Sequence, residues 1–252
     1  MKGMNETIRT QLEHRTIREF KDQGIPEEVF DLLMEVARRT ASSTAMQASS
    51  IIRVTDPSIK AEIAGICKQE YVARIPELLI FIVDQYRNSQ IAKEKGHSPD
   101  YAGDTDRFFS SFTDACLMAQ NVVTAAESLG LGTIYLGSIL NDTEKMCQLL
   151  KLPELTFPVL GLGLGYPNQS PQLKPRMEMR LRVFENAYTF FDSYLDEIKD
   201  HDEEMRTYYD LREPEKPVDS FSDQVVSRLK YQNIKRQELL KVARKQGFDL
   251  KV

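Results

Sequence analysis

The sequence predicts a globular fold that mixes helices and strands, and three observations predict it. Hydrophobic residues make up 41% and charged residues 28% of 252 positions, an ordinary balance that can fill one large core or two modest ones. Leu78 to Val83 (LLIFIV) is an unbroken apolar run of strand length, the pattern of a strand buried on both faces. Phe108 to Leu129 carries apolar residues on almost every side, among them Phe112, Ala115, Met118, Val122 and Ala126. That stretch reads as a helix buried in a domain or in a subunit interface.

The remaining elements follow in order. Glu6 to Glu13 reads as a short helix, and Ile25-Pro26-Glu27-Glu28 opens a longer one with an apolar stripe of Val29, Leu32, Leu33, Val36 and Ala37. This helix ends at Arg38-Arg39-Thr40 and enters Ala41 to Gln47, whose small hydroxyl residues suit either a ligand-facing turn or a plain loop. Ser50 to Thr55 reads as a strand, and Asp56-Pro57 as a helix start. Residues 85-106 turn polar and are broken by Gly96, Pro99 and Gly103, as in a mobile excursion or a variable surface loop. Gly130-Leu131-Gly132 ends the long helix before a strand at Thr133 to Leu136. A further strand, Phe157 to Leu160, is ended by Gly161-Leu162-Gly163-Leu164-Gly165. From about residue 192 the chain is densely charged. Ser220 to Asp223 looks like a helix start, and Val225, Val226, Leu229, Ile234, Leu239, Leu240 and Val242 supply apolar faces suited to packing on a partner subunit.

Several function classes drop out. A net charge of -5 gives no basic stripe for nucleic acid. Cys67, Cys116 and Cys147 lie far apart, as do His14, His97 and His201, so neither a disulfide framework nor a zinc site is expected. The polar start and the lack of a long apolar run point to a cytoplasmic protein with no membrane partner. Neither glycine-rich place has the strand, turn and helix of a dinucleotide fingerprint, and there is no phosphate-binding P-loop or nucleophile elbow. What remains is a pair of short basic clusters, His14-Arg15-Thr16-Ile17-Arg18 and Lys174-Pro175-Arg176. Their fixed charge and hydrogen-bond donors could close on one phosphate-bearing ligand.

These clusters, with Phe20, the Ala41-Ser42-Ser43-Thr44 turn leading to Ser49-Ser50-Ile51-Ile52, Ala125 to Gly132, Tyr135-Leu136-Gly137 and Leu173-Lys174-Pro175-Arg176, resemble the nitroreductase superfamily. More narrowly, they resemble its oxygen-insensitive NADPH nitroreductase and flavin reductase branch, colinear from about residue 5 onward. The resemblance implies an α+β fold with a central, mostly antiparallel sheet wrapped by helices. It also implies a single domain over 1-252, paired as an intertwined homodimer with one FMN per subunit. His14, Arg15, Thr16, Lys174 and Arg176 would hold the ribityl phosphate, and Arg18 would lie near the pyrimidine edge of the flavin. Ser42, Gln69 and Tyr71 would contact the ring or the ribityl chain, and the backbone of Tyr135, Leu136, Gly137 and Ser138 would face N5. The family often has a second glycine where this chain has Ser138.

The implied activity is hydride transfer from NADPH or NADH through flavin N5 to nitroaromatics, quinones or free flavin, by ping-pong kinetics and without a side-chain nucleophile. Arg18 would act as the electrostatic stabiliser. Arg212 stands where related enzymes carry arginines for the 2′-phosphate of NADPH, but the next expected basic positions read Lys216-Pro217-Val218. Weaker discrimination between NADPH and NADH is the expectation. Two other readings stay open: a non-catalytic FMN-binding sensor or flavin store, and a same-fold enzyme for dehalogenation or flavin cleavage.

Overall fold

The computed structural model describes residues 3–210 and 218–250. The chain forms two compact units, Met1–Gln169 together with Asn233–Val252, and Ser170–Gln232.

The first unit opens with α1 (Glu6–Leu12), capped by the Asn5 side chain, and α2 (Glu27–Arg38), which buries Phe30, Leu33 and Ala37. β1 (Ser49–Val54) follows, then α3 (Pro57–Cys67), capped by Asp56 and stopped by Lys68 in the left-handed region at φ 54°. Next come β2 (Glu77–Asp84), α4 (Gln85–Glu94), α5 (Thr105–Ser128), β3 (Gly132–Leu136), α6 (Thr143–Leu149) and β4 (Thr156–Gly165). The second unit contains α7 (Tyr194–Glu197), α8 (Lys199–Arg206) and α9 (Phe221–Lys230), the last capped by Ser220 as its sequence predicts. The first unit is completed by α10 (Ile234–Gln237) and α11 (Leu239–Lys245).

The four strands form one fully antiparallel sheet in the order β1-β2-β4-β3. β2 is buried along its length up to Asp84, as its apolar run requires. Phe81 pairs with Leu160 and Ile82 with Pro158, so Val159 is the extra residue of a bulge. A proline inside a central strand is tolerated at such a bulge, where no ladder hydrogen bond is lost. On α5, Ala115, Ala119, Val122 and Ala126 are buried, and Phe108 meets Phe157 and Phe248 edge-on at 5.4 and 4.9 Å.

Two elements depart from the sequence expectations. β4 continues through its glycines instead of ending at Leu160. The reason is crowding on one face: a Cβ on Gly163 would lie 2.6 Å from Ile75 Cδ1, and one on Gly165 2.8 Å from Pro76 Cγ. The glycines therefore permit close packing within a strand. The polar segment 85-106 begins as α4, whose Gln85 and Ser89 are buried. Gln85 Nε2 donates to Ser111 Oγ at 2.8 Å and Ser89 Oγ to Gln85 O at 2.8 Å. Satisfied polar side chains can be buried, which composition alone does not reveal. Phe109 and Leu117 of α5 are exposed in the single chain, which leaves open the expected alternative of a helix in a subunit interface. Among the described residues, no helix is long and apolar enough to cross a membrane.

The end of α5 sets up the region that matters most. Gly130, at φ 78°, places its N–H on Glu127 O and the next N–H, of Leu131, on Ala126 O, the paired bonds of a Schellman cap. Two residues later Gly132 carries Ile17, whose Cγ1 would lie 2.6 Å from a Cβ built there. Gly132→Ala should therefore force Ile17 off its seat and lower stability by about 1–3 kcal/mol, measured by urea unfolding; an unchanged midpoint would contradict this packing.

Candidate functional site

The basic cluster lies as a strap across the sheet edge. Thr16 bridges Thr133 in parallel, Ile17 N–H donates to Thr133 O at 2.9 Å, and Lys21 N–H donates to Tyr166 O at 2.8 Å. Ile17 is buried, so alternation along the extended strap leaves Thr16 and Arg18 on the opposite side. His14 Nδ1 sits 2.7 Å from Glu127 Oε1, and Thr133 Oγ1 donates to the same oxygen at 2.6 Å. Arg15 Nη1 donates to Glu13 O at 2.8 Å.

Arg18 and Tyr71 line one cleft of about 640 Å³, with Phe20, Arg74 and Pro76. Tyr71 is carried on the 3-10 turn Glu70–Arg74 after α3, and Arg74 is tied to Glu19 at 2.9 Å. Gln69, just before that turn, accepts from Ser138 Oγ at 2.9 Å. The structure thus joins two predicted site residues far apart in sequence. Ser138 follows β3 in the 3-10 turn Gly137–Asp142. The Leu136 side chain is buried, Tyr135 Oη donates to Gln120 Oε1 at 3.1 Å, and burial pushes the Tyr135 phenol upward. Arg236 Nη1 of α10 donates to Gly137 O at 3.0 Å.

Ser42 lies in a different cleft of the first unit, about 420 Å³, with Thr40, Met46, Gln47, Arg87 and Met118. The turn after it is strained, because Thr44, Ala45 and Gln47 all have positive φ, at 47°, 57° and 49°. Its conformation is held from outside. Ser43 N–H donates to both carboxylate oxygens of Asp114, at 2.9 and 3.1 Å. Asn88 Nδ2 donates to Met46 O at 3.0 Å, and Arg87 to Gln47 O. Asp114 is buried on α5, and desolvation pushes its carboxyl upward against the lowering effect of the Ser43 N–H.

Lys174 and Arg176 belong to the second unit, both exposed on a stretch without regular structure. Arg212 and Lys216 lie outside the described residues. The sequence reading assigned no role to Asp114, Glu127 or Arg236. Each acts on a partner at least 71 positions away in sequence, so no local spacing marks it.

The residues present fit an anionic, aromatic cofactor such as FMN: two guanidinium groups, an imidazole and a hydroxyl on the strap, and an aromatic side chain, Tyr71, in the Arg18 cleft. The nearby carboxylate of Glu127 is engaged by His14 and Thr133. The family model described as "Nitroreductase family" matches residues 12–166, and "Nitroreductase family, C-terminal domain" matches residues 174–251. The chain belongs to the nitroreductase family. It is 37% identical to the FMN reductase (NADPH) of Bacillus subtilis (strain 168) over 230 residues, 90% of this chain and 92% of that protein. Against the oxygen-insensitive NADPH nitroreductase of Salmonella typhimurium, identity is 36% over 246 residues, 97% of this chain and 99% of that one. The solved structure of the NADPH:FMN oxidoreductase from Vibrio harveyi complexed with NAD+ superposes with a TM-score of 0.86 at 33% identity. That superposition covers 97% of this chain and 99% of the other, so the nitroreductase-like fold extends over nearly the whole chain.

The Asp114 contact yields a stability test. Asp114→Ala leaves the Ser43 N–H without its acceptor and should cost about 1–3 kcal/mol in urea unfolding. Asp114→Asn keeps an acceptor oxygen and removes a desolvated charge, so it should retain most of the stability; equal losses in both variants would refute the account.

Proposed function

We propose that this nitroreductase-family protein is an FMN-dependent oxidoreductase that takes reducing equivalents from NADPH and delivers them to nitroaromatics, quinones or free flavin. The observation that carries the reading is the strap, which places Arg18 beside Tyr71 in one cleft and His14 on the Glu127 carboxylate. The names of the relatives point to the same donor and cofactor. When bound, FMN would supply the hydride and electron-pair chemistry that links the nicotinamide donor to the second substrate.

The protein's own residues supply binding and electrostatics. His14, Arg15 and Thr16, with Lys174 and Arg176, provide cations and donors for the phosphate. Arg18 contributes a guanidinium cation. It gives the cleft a positive potential that favours negative charge developing on a bound ring. Gln69, held by Ser138, offers its amide nitrogen, and Tyr71 contributes an aromatic wall. The backbone from Tyr135 to Ser138 is anchored by the buried Leu136 and by Arg236. The reading needs no side-chain nucleophile, and turnover is ping-pong because the second substrate takes the place that the oxidised nicotinamide vacates. Arg212 and Lys216 are proposed for the 2′-phosphate of the donor.

The working form is proposed to be a cytoplasmic homodimer. Ser42 lines one cleft and Arg18 another, an arrangement that suits a site completed by a second copy. Exposed Phe109 and Leu117 on α5, and Val226 and Leu229 on α9, are apolar surface for such pairing.

The decisive experiment is anaerobic stopped-flow mixing of the FMN-reconstituted protein with NADPH and, separately, NADH. Rapid bleaching of the yellow flavin, reversed by a nitroaromatic or quinone, is the expected result. Failure to bind FMN overturns the site, whereas tight binding without bleaching leaves a non-catalytic flavin carrier. Comparable KM values for NADPH and NADH are expected from the sparse basic residues near Arg212, and a ratio strongly favouring NADPH would refute that part. Arg18→Ala should slow bleaching on the order of 100-fold while FMN remains bound, and an unchanged rate would remove Arg18 from the mechanism.

A further inference from the structure

We infer that Glu127 is a positioning residue that fixes the proton and the aim of His14, so that the imidazole presents Nε2 to the phosphate of the cofactor. This rests on the proposed reading in which His14 faces that phosphate.

Glu127 stands in the last turn of α5, with its side chain 12% exposed. One oxygen, Oε1, receives both the buried Thr133 hydroxyl at 2.6 Å and His14 Nδ1 at 2.7 Å. An ionised carboxylate only accepts, so His14 Nδ1 must carry a hydrogen. Nε2 is then the ring atom left for a ligand, on a side chain that is 32% exposed. When the ring gains a second proton, Nε2–H becomes a donor to an anionic oxygen while Nδ1–H stays on Glu127.

The surrounding backbone fixes all three members. The Schellman cap at Gly130 holds the turn that carries Glu127. Thr133 belongs to β3 and bridges Thr16, two residues beyond His14. A carboxylate this close to a phosphate site would repel the ligand if it faced it. With one oxygen committed to both His14 and Thr133, its charge is directed at the imidazole. The arrangement parallels the way a carboxylate behind a metal-bound histidine sets its tautomer and orientation.

The test compares FMN with riboflavin, which has the same ring and ribityl chain but no phosphate. Affinities of the apo-protein are read by flavin fluorescence quenching, and the His14 tautomer by 15N–1H correlation of the imidazole. The chain has three histidines, so the spectrum of His14→Gln assigns the signal. In the wild type, FMN should bind much more tightly than riboflavin and His14 should be the Nδ1–H form. Glu127→Ala should weaken FMN by about ten- to a hundredfold, the scale of a charge-assisted hydrogen bond, leave riboflavin affinity unchanged, and release the imidazole from the Nδ1–H form. Glu127→Gln, whose amide oxygen still accepts, should recover most of the FMN affinity and the tautomer, and it serves as the test if the alanine variant does not fold. Equal losses for FMN and riboflavin would make Glu127 a scaffold residue and overturn the inference, as would an unaltered tautomer in the alanine variant or failure of the glutamine variant to recover FMN binding. A wild type that binds FMN and riboflavin equally would instead overturn the reading of the strap as a phosphate site.

Discussion

Ile17 rests on the bare α-carbon of Gly132, and its N–H is committed to Thr133 O at 2.9 Å. This single docking determines where a run of cations is displayed. Without a side chain at Gly132 the strap approaches the sheet edge closely enough to pair, and once it pairs, His14 comes within reach of Glu127 and Arg18 within reach of Tyr71. The chain has no glycine-rich loop at a helix N-terminus to receive a phosphate. Its contiguous side-chain cations are held by backbone pairing, so their placement is inherited from the sheet and from one missing methyl group.

Two buried or nearly buried carboxylates, Asp114 near the middle of α5 and Glu127 in its last turn, share a logic. Each spends its lone pairs on a segment that faces a cleft: Asp114 on the Ser43 N–H, Glu127 on His14 and Thr133. A desolvated carboxylate is costly when alone and stabilising when its acceptors are used. α5 is therefore both part of the core of the first unit and the frame that holds the Ser43 turn and the His14 strap.

Much of the fold was legible because its signals are local. The apolar run of β2, the Pro-Glu-Glu start of α2, the Asp56-Pro57 start of α3 and the Ser220 cap each state an element within a few residues. The glycines of β4 were misleading, since a glycine that ends a strand and one that permits a neighbour's side chain to press in look identical in sequence. α4 was hidden for the opposite reason: its buried residues are Gln85 and Ser89, polar groups whose partners lie elsewhere. The strap residues His14, Arg15, Thr16 and Arg18 could be picked out because they are contiguous. Glu127, 113 residues from His14, could not be, because what matters is the fold that brings them together.

The return of the chain has a further consequence. Residues 233–252 belong to the first unit, after the whole second unit has intervened. Phe248 is fully buried against Phe108, Asp249 N–H donates to Gly103 O at 2.7 Å, and Gln246 O receives Leu155 N–H at 2.6 Å. During synthesis the sheet and α5 leave the ribosome well before these closing residues, yet their core lacks a wall until Phe248 arrives. At translation speeds of about 5–20 residues per second, the unit waits several seconds with apolar surface uncovered. The second unit, continuous in sequence, is free of that delay, so chaperone dependence and co-translational aggregation of this protein should be governed by the larger unit and by the arrival of residues 246–249.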